Sequence, residues 1–222
     1  MREHLSPQAE DYVKAVYRLS HEGSVTTLAL AEALSVSSPS VTGMLKKLNE
    51  LGLVAYTPYR GVALTESGEK VALELIRHHR LLELYLHQAL GYPLEAVHAE
   101  AERLEHHISE EFEARIFERL GQPTHDPHGD PIPGLDGSLP RHATKPLAEL
   151  EAGHAARVGR VAEDDPELLR QLVALGLAPG AEVRTLEAQP KLGLVRLEVA
   201  GTGRTLGIEA ARRVWVEEEV RA

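Results

Sequence analysis

The sequence predicts a mainly α-helical chain that ends in a small β-barrel. Apolar residues recur at helical spacing through the first 120 residues, whereas apolar and polar residues alternate after residue 146. Ten Gly or Pro residues lie between positions 121 and 146, which predicts a linker and not a packed element. We therefore expect three domains over residues 1–64, 65–140 (including the linker) and 146–222. Hydrophobic residues form 43% of the 222, which is enough for real cores.

Residues 1–64 read as three short helices and a hairpin. The helices are expected at about 8–20, 27–34 and 38–51, and the strands at 53–56 and 61–64 around a turn at 58–61. Ser38 is predicted to cap the third helix, with Pro39 at its first helical position and Gly52 after its end. Two helices joined by a short turn and followed by a hairpin form a winged helix-turn-helix.

Long helices and then short strands are expected in the remainder. One helix should run from Thr65 to Leu90, where Gly91 and Pro93 stop it, and a second from 94 to 120. Alternating segments at 156–161, 182–184, 194–199 and 214–216, with one helix at 166–176, predict a β-barrel of about 75 residues.

Composition excludes several classes of protein. The chain has no cysteine, which removes disulfide scaffolds, thiolate metal sites and cysteine nucleophiles. Its beginning lacks the apolar centre of a secretory signal, and no apolar run approaches the ~20 residues of a membrane span, so a cytoplasmic protein without membrane contact is expected. The net charge is −10, but residues 1–64 hold six basic and six acidic residues. Any nucleic-acid contact should therefore come from a local surface of that part.

The predicted helix 38–51 has an apolar face and a polar remainder. Val41, Leu45 and Leu48 should pack inward. Short polar groups near the start of such a helix suit base edges, lysines suit phosphates, and a wing arginine can reach a phosphate or the minor groove. The other interpretation is an ordinary three-helix domain with a solvated polar face. The candidate residues, here named the DNA-reading surface, are Ser37, Pro39, Ser40, Thr42, Gly43, Lys46, Lys47 and Arg60.

Histidines and carboxylates share faces of the two long predicted helices. Six of the twelve histidines lie in residues 65–120, the most acidic part. His79 and Glu83 are four positions apart, so they share one helix face. If the helices pack antiparallel across the Gly91–Pro93 turn, two chelates face each other, and Asp11 of the first helix adds a ligand. Carboxylates and imidazoles placed this close together cost free energy unless a cation compensates them. Solvated helix faces also carry such side chains, and we expect this of His78, His87 and His107. On the second helix the shared face comprises His98, Glu102, Glu105 and His106.

The order of these motifs resembles a known family. The chain resembles the diphtheria toxin repressor family of iron- and manganese-dependent transcriptional regulators. The resemblance lies in the order of a winged helix, His79-x-x-x-Glu83, His98-x-x-x-Glu102-x-x-Glu105-His106, and the segment Pro-Ile-Pro-Gly-Leu-Asp at 131–136. The resemblance covers nearly the whole chain and implies a helical metal-binding dimerisation domain. It also implies a C-terminal SH3-like domain, similar to the small domain of ferrous-iron transport proteins.

The resemblance implies two metal sites per subunit. Asp11, Glu102, Glu105 and His106 match the primary site, and His79, Glu83 and His98 match the ancillary site. Iron-responsive members have methionine and cysteine where this chain has Asp11 and Glu102, so the two carboxylates resemble the manganese regulators.

Three further positions bear on these sites. Members with a paired-metal site have glutamate where this chain has Lys14. Asp165 and Leu168 stand where the SH3-like domain of three-domain members supplies Glu and Gln to the ancillary site.

The predicted function is a homodimeric regulator that binds a palindromic operator in double-stranded DNA when Mn²⁺ or Fe²⁺ docks the first helix, most simply a repressor of metal-uptake genes. Apolar residues of the long helices, such as Leu81, Leu82 and Leu84, are expected to need a partner chain. One alternative is a helical metalloenzyme with a carboxylate and histidine site, although no GxSxG or phosphate loop is present. Another is a metal-independent regulator whose SH3-like domain binds a ligand.

Overall fold

The computed structural model describes residues 5–21, 23–57, 60–140 and 144–218. Pro58 and Tyr59 of the predicted turn lie outside the described residues. The chain divides into two compact units. The first unit comprises residues 1–79, 104–109 and 133–138, and the second comprises 80–103, 110–132 and 139–222.

The first unit contains the predicted winged helix-turn-helix. Its elements are α1 (Pro7–Ser20), α2 (Thr27–Ala33), α3 (Ser38–Glu50), β1 (Val54–Thr57), β2 (Gly61–Leu64) and the start of α4 (Glu66–Leu90). The two strands pair antiparallel from Val54↔Leu64 to Thr57↔Gly61. The core joins α1 to α4 through buried side chains, among them Tyr12, Leu30, Leu45, Leu48 and Leu75. The predicted inward face of α3 is confirmed.

Hydroxyl side chains cap the helices of this unit. Ser6, Thr26 and Ser37 each accept a hydrogen bond from the backbone N–H three residues later, which satisfies one of the open donors at a helix start. The prediction that Ser38 caps α3 is wrong by one position, because Ser37 holds the extended conformation and Ser38 is already helical. Asp11, in the middle of α1, is therefore held on a helix fixed at its start and along its apolar face.

The predicted single helix over 94–120 is wrong. The structure has α5 (Val97–Leu104) and α6 (Glu110–Arg119), separated by a turn at 105–109. Glu105 is completely buried and its carboxylate contacts Lys14 and His79, so these contacts outweigh helix continuation. Three glutamates in the first turn of α6 favour a new helix start there, since anions stabilise the positive end of the helix dipole.

Part of the predicted linker is packed. Asp126, His128, Asp130 and Ile132 are buried, and the carboxylate of Asp126 accepts hydrogen bonds from the backbone N–H groups of His128 and Asp130, at 2.8 and 2.9 Å. Gly129 has φ +92°, and a Cβ there would lie 1.9 Å from the carbonyl oxygen of Gly159. The linker prediction therefore fails here, because glycine and proline build a tight buried loop.

The C-terminal part of the second unit is the predicted SH3-like β domain. Its elements are β3 (Lys145–Pro146), β4 (Ala155–Val161), α7 (Pro166–Ala174), β5 (Glu182–Gln189), β6 (Leu194–Val199), β7 (Thr202–Gly207), α8 (Ile208–Ala211) and β8 (Val214–Glu218). The six strands form one antiparallel sheet in the order β3-β8-β4-β5-β6-β7. Strand β7 and helix α8 were not predicted, since the polar run Thr202–Arg204 lacks an apolar alternation.

The leucines of α4 do not support the dimer argument made from the sequence. Leu81, Leu82 and Leu84 are buried within the single chain. Among the described residues 80–132 of the second unit, the exposed large apolar side chains are instead those of Leu90, Tyr92 and Phe112. Within the described residues, no helix is both long enough and apolar enough to cross a membrane.

Candidate metal centres and DNA-reading surface

In the first unit, α1 and the turn at 105–109 bring three candidate metal ligands together. One atom each from Asp11, Glu105 and His106 lies within 4.8 Å of the others. Asp11 Oδ1 is 3.0 Å from His106 Nε2, and Glu105 Oε1 is 3.6 Å from the same nitrogen. We name these three residues the first-unit site. Carboxylate oxygens with one imidazole nitrogen are a ligand set that Mn²⁺ and Fe²⁺ accept.

Glu105 is also bound by a lysine and a second histidine. Lys14 Nζ donates to Glu105 Oε1 at 2.6 Å, and His79 Nδ1 lies 2.6 Å from Glu105 Oε2. The side chains of Lys14, His79 and Glu105 are at least 95% buried. A buried carboxylate needs such partners, because leaving one unpaired costs several kcal/mol. Lys14 therefore pairs directly with a carboxylate of the first-unit site.

His106 is held between two consecutive acidic residues of α1. Its Nδ1 donates to Glu10 Oε2 at 2.6 Å, on the opposite edge of the ring from Asp11. The hydrogen bonds to Asp11 and Glu10 outweigh partial burial and raise the pKa of His106 to about 9. Without a bound cation, this imidazole is protonated on both nitrogens at neutral pH.

A second cluster lies entirely in the second unit, and we name it the second-unit site. It consists of Glu83, His98, Asp126, His128 and Glu163. His98 Nδ1 is 3.2 Å from Glu83 Oε1 and 3.5 Å from Glu163 Oε2. His128 Nδ1 is 3.1 Å from Glu163 Oε2 and 3.6 Å from Glu83 Oε2. Helix α4, α5, the loop at 126–130 and the segment after β4 each contribute.

The two histidines of this site are strongly basic. Burial alone would lower the pKa of each imidazole, but hydrogen bonds to Glu163 and Glu83 outweigh it. The pKa of His98 rises to about 10 and that of His128 to about 11. Burial, followed by the charge of Glu83, raises the pKa of Asp126 well above its usual range. The protons on these two imidazoles thus supply the positive charge that a bound cation would otherwise supply.

Arginines fix the loop that carries Asp126 and His128. Arg80 Nε lies 3.6 Å from Asp126 Oδ2, and Arg160 Nε donates to Asp130 Oδ2 at 2.8 Å. Arg160 also stacks over Trp215, 4.2 Å from the ring centroid. His128 Nε2 is within 3.0 Å of the carbonyl oxygen of Leu94, so Nδ1 faces the carboxylates.

The remaining predicted ligands lie as follows. Glu102, in the second unit, has Oε1 3.9 Å from His98 Nε2. His79, in the first unit, contacts Glu105. The grouping of Glu102 with the first-unit site, and of His79 with Glu83 and His98, stays a prediction. Asp165 caps α7 by accepting a hydrogen bond from the N–H of Leu168. The acidic residue of this segment that contacts His98 and His128 is Glu163.

The DNA-reading surface is solvent-exposed except for Thr42, which is half-buried. Ser37 and Ser40 join through their hydroxyls at 2.8 Å, and the Thr42 hydroxyl donates to the carbonyl oxygen of Ser38. A Cβ at Gly43 would meet nothing within 4 Å, so the helix surface is open there. Lys46 and Lys47 project from the same helix and leave their charges accessible.

Comparison with known proteins gives the same organisation. Residues 4–62 match the family model of the iron dependent repressor N-terminal DNA binding domain, and residues 65–134 match that of its metal binding and dimerisation domain. Residues 145–218 match the FeoA domain. The iron-dependent repressor IdeR of Mycobacterium leprae (strain TN) is 35% identical over 94% of this chain and 96% of its own length.

This chain belongs to the iron-dependent repressor family. A solved manganese-dependent transcriptional repressor in complex with manganese has a TM-score of 0.87 and 37% identity, over 95% of this chain and 99% of that one. ScaR with bound Zn²⁺ has a TM-score of 0.78 and 35% identity, over 95% and 99%. The iron-dependent repressor family consists of metal-dependent DNA-binding regulators and not of enzymes, so the metalloenzyme alternative is wrong.

Several residues of this repressor's sites were missed in the sequence. Glu10 was missed because Asp11 matched the family position, although an acidic residue on the apolar face of α1, beside Val13 in helical spacing, was the available signal. Asp126 and His128 were assigned to a linker, and the D-x-H spacing beside Pro-Ile-Pro was the available signal. Glu163 was missed because Asp165 matched the family position.

Proposed function

We propose that this chain is a homodimeric, cytoplasmic repressor of metal-uptake genes that binds a palindromic operator when Mn²⁺ or Fe²⁺ is bound. The observation that carries the proposal is the meeting of Asp11, from the DNA-binding part, with Glu105 and His106 from the following domain. A cation held there ties α1 to the turn at 105–109. Its preference for that arrangement sets the largest shift it can impose on DNA affinity.

Two metal sites per subunit are proposed. Asp11, Glu105 and His106, with Glu102 from the family resemblance, would form the regulatory site. The second-unit site would hold the other ion through Glu83, His98, His128 and Glu163, with Asp126 nearby. The donor chemistry fits a divalent cation, because carboxylates and imidazoles converge to within 4.8 Å while buried or half-buried. At each site the ion would supply positive charge that holds packed elements together.

Mn²⁺ is proposed as the best activator, with Fe²⁺ close behind. The chain contains no cysteine, and the first-unit site offers mainly oxygen donors, which suit hard, expandable coordination. Zn²⁺ should bind tightly, as the Irving–Williams order requires, but its preference for four tetrahedral ligands should leave Asp11 undocked. Activation therefore should not follow affinity.

DNA contact is assigned to the DNA-reading surface of α3 and the wing. Its exposed serines and Gly43 permit close approach to base edges, while Lys46, Lys47 and Arg60 offer phosphate contacts. Two such surfaces in a dimer would read half-sites separated by a helical turn or its multiples. The three functional domains are proposed as residues 1–64, 65–140 and 146–222.

The test is a mobility-shift titration on the protein's own promoter region under anaerobic conditions. Mn²⁺, Fe²⁺ and Zn²⁺ are added to chelator-treated wild type, to Asp11→Ala, and to Glu209→Ala as a control that removes an exposed acidic residue. We expect metal-dependent binding by wild type and control, and a loss of metal dependence with Asp11→Ala. DNA binding that ignores chelator would instead favour a metal-independent regulator.

A further inference from the structure

Glu10 is a buried acidic residue that the proposed metal ligands do not include. It lies on α1 directly before Asp11 and is only 4% exposed. Its Oε2 accepts a 2.6 Å hydrogen bond from His106 Nδ1. A carboxylate removed from water must be compensated, and here a ring nitrogen of a candidate metal ligand takes part in that compensation.

The two nitrogens of His106 face different groups. Nε2 faces Asp11 Oδ1 at 3.0 Å and Glu105 Oε1 at 3.6 Å, whereas Nδ1 faces Glu10. Consecutive helix residues point about 100° apart. Glu10 and Asp11 can therefore reach opposite edges of one imidazole. Glu10 is on the far side of the ring from the three converging ligand atoms, so it is not placed to share their cation.

We propose that Glu10 is the positioning residue for His106. A neutral imidazole has one N–H, and its hydrogen bond decides which nitrogen keeps the lone pair. By accepting from Nδ1–H, Glu10 presents the Nε2 lone pair to the first-unit site and fixes the ring plane. This inference rests on the proposed function of that site. Loss of such an outer partner typically costs about 10- to 100-fold in metal affinity.

The inference separates two substitutions of the same residue. Glu10→Ala removes the acceptor, so the ring can rotate and offer either nitrogen. Glu10→Gln retains an amide oxygen at the same reach and should preserve the choice of nitrogen while losing the charge. Glu50→Ala removes an exposed acidic residue at the end of α3 and serves as the matched control.

The experiment combines nitrogen-resolved NMR with metal affinity. Each full-length variant is labelled with ¹⁵N-histidine and loaded with ¹¹³Cd²⁺, and His106 is assigned by the signal lost in His106→Gln. Wild type, Glu10→Gln and Glu50→Ala should show ¹¹³Cd–¹⁵N coupling at Nε2 and a proton on Nδ1. Glu10→Ala should lose that single pattern. In parallel, Mn²⁺ titration followed by electron paramagnetic resonance should show about 10- to 100-fold weaker binding in Glu10→Ala and a smaller loss in Glu10→Gln.

The outcomes distinguish this inference from the function beneath it. Wild-type coupling and affinity in Glu10→Ala would overturn the positioning role, as would coupling at Nδ1 in wild type. Absence of any cadmium coupling to His106 in wild type would instead overturn the first-unit site itself. If Glu10→Ala does not fold, Glu10→Gln decides: coupling that moves away from Nε2 despite the retained acceptor contradicts the proposal.

Discussion

The two candidate metal sites balance their carboxylates in different ways. In the first-unit site, Lys14 Nζ lies 2.6 Å from Glu105 Oε1, and the one imidazole among the three ligands is His106, whose pKa is raised to about 9. In the second-unit site, the imidazoles of His98 and His128 lie between 3.1 and 3.6 Å from carboxylate oxygens of Glu83 and Glu163. A metal entering the second site must displace the protons of those imidazoles. Two sites with similar ligand sets can therefore differ in how strongly their metal affinity depends on pH.

The largest expected effect comes from removing the carboxylate that connects Lys14, His79 and the candidate ligands. Glu105→Gln should weaken Mn²⁺ binding at the first-unit site by about 100-fold or more, since it deletes a ligand charge. Loss of the buried ion pair should also lower the free energy of unfolding by about 3 kcal/mol. Isothermal titration and urea unfolding measure the two effects. Glu163→Gln is the matched variant, and equal losses at both sites in either variant would remove the distinction between them.

A pH series tests the comparison directly. A pH between 6 and 8 is below the pKa values of His98 and His128, about 10 and 11, so each imidazole is protonated and must lose a proton to bind metal. The affinity of the second-unit site should therefore rise by at least about two log units per pH unit. The affinity of the first-unit site should rise by about one log unit per pH unit, because its one imidazole ligand is His106, with a pKa of about 9. Calorimetry in buffers of different ionisation enthalpy counts the released protons.

The same protons have the opposite effect on the chelated protein. Raised histidine pKa values give stability that is complete below about pH 6.5 and is lost as the pH rises through the folded-state values. Thermal unfolding with chelator should thus show stability that falls from about pH 6.5 and levels off near pH 10 to 11. A flat profile would contradict the role of His98 and His128 as protonated partners.

The loop at 126–130 offers a smaller test that concerns only the second unit. Gly129→Ala places a methyl group against the carbonyl of Gly159 in a left-handed conformation, so the loop must move. We expect about tenfold weaker metal binding at the second-unit site, because His128 is the preceding residue, and unchanged binding at the first. Gly153→Ala also has positive φ but open surroundings and serves as the control. Comparable losses in both would attribute the effect to backbone conformation alone.

The smallest expected change is a gain. Lys14→Gln removes a positive charge beside the first-unit site, so Mn²⁺ affinity there should increase by about tenfold, while the chelated protein becomes less stable. Lys70→Gln, which disrupts an exposed ion pair with Glu66, should leave both quantities unchanged. Direct Mn²⁺ titration of the two variants checks this, and weaker binding in Lys14→Gln would show that the ammonium assists the site.

Sequence reasoning succeeded where one element determines the pattern. The helices of the winged domain, the extent of α4 and strand β6 follow from periodicity and capping. It failed where distant contacts override that pattern. Glu105 and His106 were assigned to one continuous helix, yet the buried pair with Lys14 ends α5 at Leu104. Asp11, Glu105 and His106 still converge despite this error, so their assignment as ligands stays a prediction that does not depend on a continuous helix.

The site in the second unit was less accessible to prediction. Glu163 and His128 are 35 positions apart and meet because the 126–130 loop packs against β4, where Val161 N–H donates to the carbonyl of His128. Gly129 makes that approach possible. A glycine- and proline-rich segment has no periodicity from which burial could be inferred, so tertiary packing alone identifies these two residues as neighbours.

The ion pair of Lys14 with Glu105 has a consequence for the lifetime of the protein in a starved cell. A regulator that depended on its metal to compensate a buried carboxylate would unfold as the metal concentration fell. Proteases would then degrade the unfolded protein, so metal deficiency would remove the regulator itself. Because Lys14 pairs with Glu105 within the chain, we expect the metal-free protein to stay folded. Recovery after metal returns would then require only rebinding, without new synthesis, and the response time would be set by diffusion and exchange instead of translation.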